Sequence, residues 1–169
     1  MKQTQQLHEA GKSLWLDNIT RGLHARGTLA HYIAEDSVTG LTSNPTVFDQ
    51  AIEGGSDYDS DIATRKAAGA SDEEVFFELV PTDLRRAADL FAPVHEYSDG
   101  VDGWVSLEVS PLLARDPRAI IEQVKALRAK AGRPNLFIKI PGTSEGLHAI
   151  EECTFAERPI NVTLLFSAE

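Results

Sequence analysis

Five polar residues lie where short apolar runs end: Asp17, Asn44, Glu108, Lys139 and Thr163. Lys139 is the most informative. It sits inside "LFIKIP" (136–141), flanked by Ile138 and Ile140, yet lysine is among the side chains most reluctant to lose water. A desolvated lysine favours its neutral form, and a neutral amine is a nucleophile toward carbonyls. The resulting Schiff base is an electron sink that lets a bond to the neighbouring carbon break heterolytically. Such chemistry also needs groups that move protons on and off oxygen, which is work for carboxylates. Asp17 and Glu108 supply two, and the hydroxyl of Thr163 could hold a water by hydrogen bonds.

These residues must be brought together by the elements that carry them. Five segments read as strands: "SLWLDN" (13–18), "GLTSN" (40–44), "GWVSLEVS" (103–110), "LFIKIP" (136–141) and "PINVTLLF" (159–166). Each is rich in β-branched or large apolar residues and bounded by Gly, Pro, Asn or Ser. Alternation puts Lys139 on the same side as Phe137 and Pro141, with Ile138 and Ile140 on the other. Period-two counting does not say which side faces inward. Helical patterns fill the intervals. In "DPRAIIEQVKALRAKAG", Asp116 can cap, Pro117 suits the first helical position and Gly132 stops the helix. Its Ile120, Val124, Leu127 and Ala131 share a face. Ser71 and Glu74 make a capping box. The interval 45–100 reads as wholly helical, with three or four short helices and a break near Pro81. Alternating strands and helices predict an α/β fold with a parallel sheet, and parallel folds place their sites at the C-terminal strand ends. Residues 1–169 are expected to form a single domain.

Composition narrows the function classes. The chain has 169 residues, 42% hydrophobic and 25% charged, with a formal net charge of −10. That balance argues against a nucleic-acid or anionic-membrane surface, while one local cationic pocket would still suit a small anionic substrate. The single cysteine, Cys153, cannot make an intramolecular disulfide and reads as a small buried hydrophobe. No apolar run is long enough for a signal peptide or a bilayer span, so a cytoplasmic location is expected. His8, His24, His31, His95 and His148 show no metal-ligand spacing, and neither a dinucleotide fingerprint nor a P-loop is present.

The motifs then converge. "LDNITR", "GLTSNPTVF", "VSLEVSP", "FIKIPGT" and "INVTLLFS", in this order, closely resemble the transaldolase family from about Ser13 to Ser167. The resemblance implies a partial (β/α)8 barrel, its first five of eight parallel strands joined by helical crossovers. It implies no metal or organic cofactor, and transfer of a dihydroxyacetone unit from a ketose phosphate to an aldose phosphate in the pentose phosphate pathway. By motif, Lys139 matches the Schiff-base lysine. Asp17 matches the carboxylate that takes the substrate hydroxyl proton. Glu108 and Thr163 match the pair that positions the catalytic water, and Asn44 and Asn161 match substrate-binding residues. The family's phosphate grip comes from later strands, so the isolated chain is expected to lack it.

Each residue also has a structural reading. Lys139 could snorkel to water, Asp17 could cap the following helix, and Glu108 could simply pair with Lys139. Thr163 is a good strand residue, and Asn44 before Pro45 suits a turn. Two other functions stay open: a simple Schiff-base aldolase of related fold, and a non-catalytic module that self-assembles into a homo-oligomer through exposed strand edges.

Overall fold

In the computed structural model, which describes residues 1–43 and 45–167, helices and strands alternate along the chain. A short helix α1 (Gln3–Glu9) precedes β1 (Leu14–Asp17), α2 (Arg21–Ala25), α3 (Thr28–Asp36) and β2 (Val38–Thr42). Three helices follow, α4 (Pro45–Glu53), α5 (Asp59–Ala67) and α6 (Asp72–Tyr97), before β3 (Trp104–Glu108). A 3₁₀ turn at Pro111–Leu113 leads into α7 (Pro117–Ala131), β4 (Leu136–Pro141), α8 (Gly146–Phe155) and β5 (Ile160–Thr163). The strands form one parallel sheet in the order β1-β2-β3-β4-β5, a half-barrel with helical crossovers.

The strands other than β4 differ from the sequence reading at their ends. β1 spans 14–17 rather than 13–18, and β3 spans 104–108 rather than 103–110. The shifts at β2 and β5 matter most. β2 begins at Val38 rather than Gly40, and β5 stops at Thr163 rather than Phe166. Leu164 adopts a positive φ of 65°, which breaks the extended backbone that pairing needs. The expected break near Pro81 is also absent, because α6 runs unbroken for 26 residues through Pro81 and Pro93. A proline deprives the carbonyl four residues earlier of its donor. For Pro81 that carbonyl belongs to Phe77, and Lys130 Nζ reaches it at 3.4 Å. Burial of Leu79, Val80 and Leu84 on the same helix holds the segment against the core.

The caps form as read. Asp116 Oδ1 accepts from the Ala119 amide at 3.0 Å, and Gly132 ends α7 with φ 60°. Ser71 and Glu74 exchange both capping-box hydrogen bonds. The core lies between the sheet and the helices. Leu41, Val105, Leu107, Leu136, Ile138 and Ile140 point outward from the half-barrel into this layer and are buried with Leu84, Phe91, Ile120, Val124 and Ala149. Each large side chain so removed from water contributes about 2 kcal/mol of transfer free energy. Among the described residues no helix is long and apolar enough to cross a membrane.

Candidate active site

The alternation that buries Ile138 and Ile140 under the helices turns Phe137, Lys139 and Pro141 to the opposite face. Register carries that face across the sheet. Trp104 stands beside Gly40, and Asp17 is level with Thr42, Ser106 and Phe137. Glu108 is level with Lys139 and Asn161, and Pro141 with Thr163. This face is concave. Trp15 on β1 and Phe137 on β4 stack with ring centroids 6.4 Å apart, whereas strands three apart in a flat sheet lie about 14 Å apart. The curl also brings Asn161 on β5 to Ser106 on β3, Nδ2 donating to Oγ at 3.2 Å over the intervening strand.

The floor of the concavity is aromatic. Trp104 stacks on Phe137 at 3.9 Å between centroids, and Trp15 closes over Gly40, where an added Cβ would lie 2.6 Å from the indole. Above the floor, Lys139 Nζ lies 3.2 Å from Glu108 Oε2, with the two side chains 17% and 20% exposed. The pair is therefore largely shielded yet open at one side. It is the ion pair that the structural reading of Glu108 anticipates, and its place on the inner face is also what a reactive amine with a proton partner requires. Beyond β4, Thr143 Oγ1 donates to the Ala114 carbonyl and accepts from the Gly146 amide, at 3.1 and 3.0 Å. This fixes the loop that follows the lysine strand.

Of the residues singled out in the sequence, Glu108 and Lys139 form an ion pair, and Asn161 stands beside Lys139 in register. Asp17 and Thr163 share their face, Asp17 exposed at the end of the edge strand β1 and Thr163 half-buried at the end of β5. Asn44 lies outside the described residues. Ser106 was missed, although it is fully buried and orients the Asn161 amide. Its signal was available, since it precedes Glu108 by two positions in a strand. Trp15, Trp104 and Phe137 were missed as a unit because only the fold reveals that their strands curl together. Among the described residues, no group of three or more His, Cys, Asp or Glu side chains could hold a metal ion.

Residues 14–169 match the family model described as "Transaldolase/Fructose-6-phosphate aldolase". The chain belongs to that family. It is similar to the "Transaldolase" of Arthrobacter sp. (strain FB24), 49% identical over 166 residues covering 98% of this chain and 45% of the relative. The "Transaldolase" of Thermobifida fusca (strain YX) is 47% identical over 165 residues, 98% of this chain and 45% of that protein. The "Transaldolase 2" of Nostoc punctiforme (strain ATCC 29133 / PCC 73102) is 40% identical over 164 residues, 97% of this chain and 43% of that protein. The chain thus spans somewhat under half the length of these transaldolase relatives. Within that span lie all the strands whose inner face is described above.

Proposed function

We propose that this chain carries the Schiff-base machinery of a transaldolase-type transferase, which moves a dihydroxyacetone unit from a ketose phosphate to an aldose phosphate. The observation that carries the reading is the Lys139 amine on the concave face, 3.2 Å from the Glu108 carboxylate and in register with Asn161. Glu108 takes a proton from the Lys139 ammonium, freeing the nitrogen lone pair to add to the ketose carbonyl. A second proton passes from the nitrogen of the adduct to its oxygen, and Glu108 returns the first to the same oxygen. The oxygen leaves as water to give the protonated imine, an iminium. Asp17 then takes the proton of the hydroxyl on the carbon to be released. That oxygen becomes a carbonyl, the carbon–carbon bond breaks, and its electrons move into the iminium to give an enamine. Addition of the enamine to an aldose carbonyl runs these steps backward. Glu108 and Thr163 hold the water that finally hydrolyses the imine, and Asn44 and Asn161 hydrogen-bond the substrate hydroxyls. Self-association through the edge strands β1 and β5 and a cytoplasmic setting belong to the same reading, as does a place in the pentose phosphate pathway.

The test is covalent. The chain is incubated with fructose 6-phosphate, reduced with borohydride and digested, and the adduct is located by mass spectrometry. One adduct is expected, at Lys139, and none in Lys139→Ala. An adduct at another lysine, or one that survives Lys139→Ala, removes the assignment. No adduct at all would show that this chain does not perform the chemistry by itself. A simple aldolase is the second reading, favoured by the double name of the matched family. It is separated by whether turnover needs an added aldose.

A further inference from the structure

Asp17 is exposed at the end of its strand, and among the described residues its carboxylate makes no hydrogen bond or ion pair. Its direction is therefore set by its backbone alone. Upstream, β1 is held by pairing to β2 through Asp17 and Thr42. Downstream, the chain leaves the strand through Asn18, Ile19 and Thr20 and enters α2. Ile19 is fully buried, and Thr20 caps the helix by accepting from the Leu23 amide at 3.0 Å.

What ties this turn to the rest of the molecule is Arg21. Its amide donates to the Tyr58 hydroxyl at 2.8 Å, and its guanidinium lies over the Tyr58 ring, 4.4 Å from the centroid. Nη1 donates to the Asp57 carbonyl at 2.9 Å and to Asp61 Oδ2 at 2.8 Å, and Nε to Asp83 Oδ1 at 3.4 Å. Asp83 is fully buried in the middle of α6. Burial opposes the Arg21 charge, but the Asp61 hydrogen bond and the fields of Asp83 and Asp61 prevail and hold its pKa above the ordinary value. A turn that only had to be stable would be served as well by apolar packing, against which buried ion pairs gain little. A forked cation gripped from several directions does something packing does not, which is to specify one orientation.

We propose that Arg21 is a positioning residue for Asp17: clamped by Asp57, Tyr58 and Asp61 on one side and Asp83 on the other, it fixes the turn at 18–20 and so aims the carboxylate. The inference rests on the role proposed above for Asp17. Two steps separate it from a general effect on folding, since imine formation uses Lys139 and carbon–carbon cleavage uses Asp17. In Arg21→Gln, borohydride trapping of the fructose 6-phosphate adduct should stay within about twofold, while release of glyceraldehyde 3-phosphate falls at least tenfold. Arg21→Lys, which keeps the charge and loses the fork, should recover part of the cleavage rate. Asp61→Asn removes only a partly exposed grip and, should Arg21→Gln not fold, carries the same readouts with a loss of about threefold. Equal losses in trapping and cleavage, or no loss in either, would overturn the proposal. If the unsubstituted chain forms no adduct, the function proposed for the site fails, and hydrogen exchange decides this inference separately. The amides of Arg21 and Leu23 should then exchange at least tenfold faster in Arg21→Gln, with those of β4 unchanged. Unaltered exchange at Arg21 and Leu23 sinks the clamp.

Discussion

Two charge clusters occupy opposite sides of this sheet, and their cations are equally shielded. The side chains of Lys139 and Arg21 are both 17% exposed. Lys139 has one partner, Glu108, itself 20% exposed, and both look into the open concavity. Arg21 is engaged by two carboxylates, a carbonyl and an aromatic ring, and Asp83 behind it is completely buried. The first arrangement leaves hydrogen-bonding capacity for something that arrives. The second spends three of the guanidinium's five N–H donors on fixed partners inside the fold. Similar residue types at similar exposure therefore divide into a cation with one partner that faces an open concavity and a cation gripped by several, and what separates them is how many partners each has.

The sharpest test of that division is to remove one carboxylate from each cluster. Asp83→Asn takes the fully buried anion from Arg21 and from Arg86, which also lies 3.4 Å away, and leaves Asp61 as the one carboxylate still pairing with Arg21. A loss of about 3 kcal/mol is expected, read from the urea midpoint at constant slope. Glu108→Gln leaves Lys139 free to reach solvent from the concave side, so the loss should be below about 1 kcal/mol. Equal costs would mean that the concavity is as closed as the helix layer.

A second substitution probes the floor of the concavity while leaving the clamp untouched. Gly40→Ala drives a methyl to within 2.6 Å of the Trp15 indole, so the ring must leave its place over β2. Such overpacking costs about 1–3 kcal/mol. Near-ultraviolet circular dichroism should change as the Trp15, Trp104 and Phe137 stack opens, and Trp15→Leu in the same chain should return most of the lost stability. A silent Gly40→Ala would show that the floor is loosely packed and does not set the depth at which Lys139 stands.

These contrasts explain what could be read before the fold was seen. The strand carrying Lys139 was legible to the residue because apolar alternation, Asn135 before it and Gly142 after it agree. The partition of Ile138 from Lys139 followed from period two, and only the helices packed on one face decided which side was inward. Pro81 misled because the rule for proline is local. Its compensation by Lys130 comes from α7, about fifty positions along the chain, and no window of sequence contains both. Ser106 was within reach of the same alternation that selected Glu108. Arg21 was not, since a lone arginine after a capping threonine says nothing of Asp83, and only packing of α2 against α6 makes them partners.

The smallest expected effect concerns the imperfect edge of the clamp. His24, on α2 one turn after Arg21, has both ring nitrogens buried without a partner, and Asp83 Oδ2 is likewise unpartnered. Burial lowers the pKa of His24 below its ordinary 6.5; Asp83 pulls it upward and Arg86 pushes it down, and burial prevails. The folded chain thus prefers the neutral ring, while the unfolded chain takes up a proton near 6.5. Stability from this source is fully present above that value and is lost as pH falls through it toward the lower folded value. His24→Leu should therefore flatten the decline in the urea midpoint between pH 7 and 5. If the slope is unchanged in His24→Leu, the two imidazole nitrogens are not withheld from water, and the clamp is more open than its carboxylate suggests.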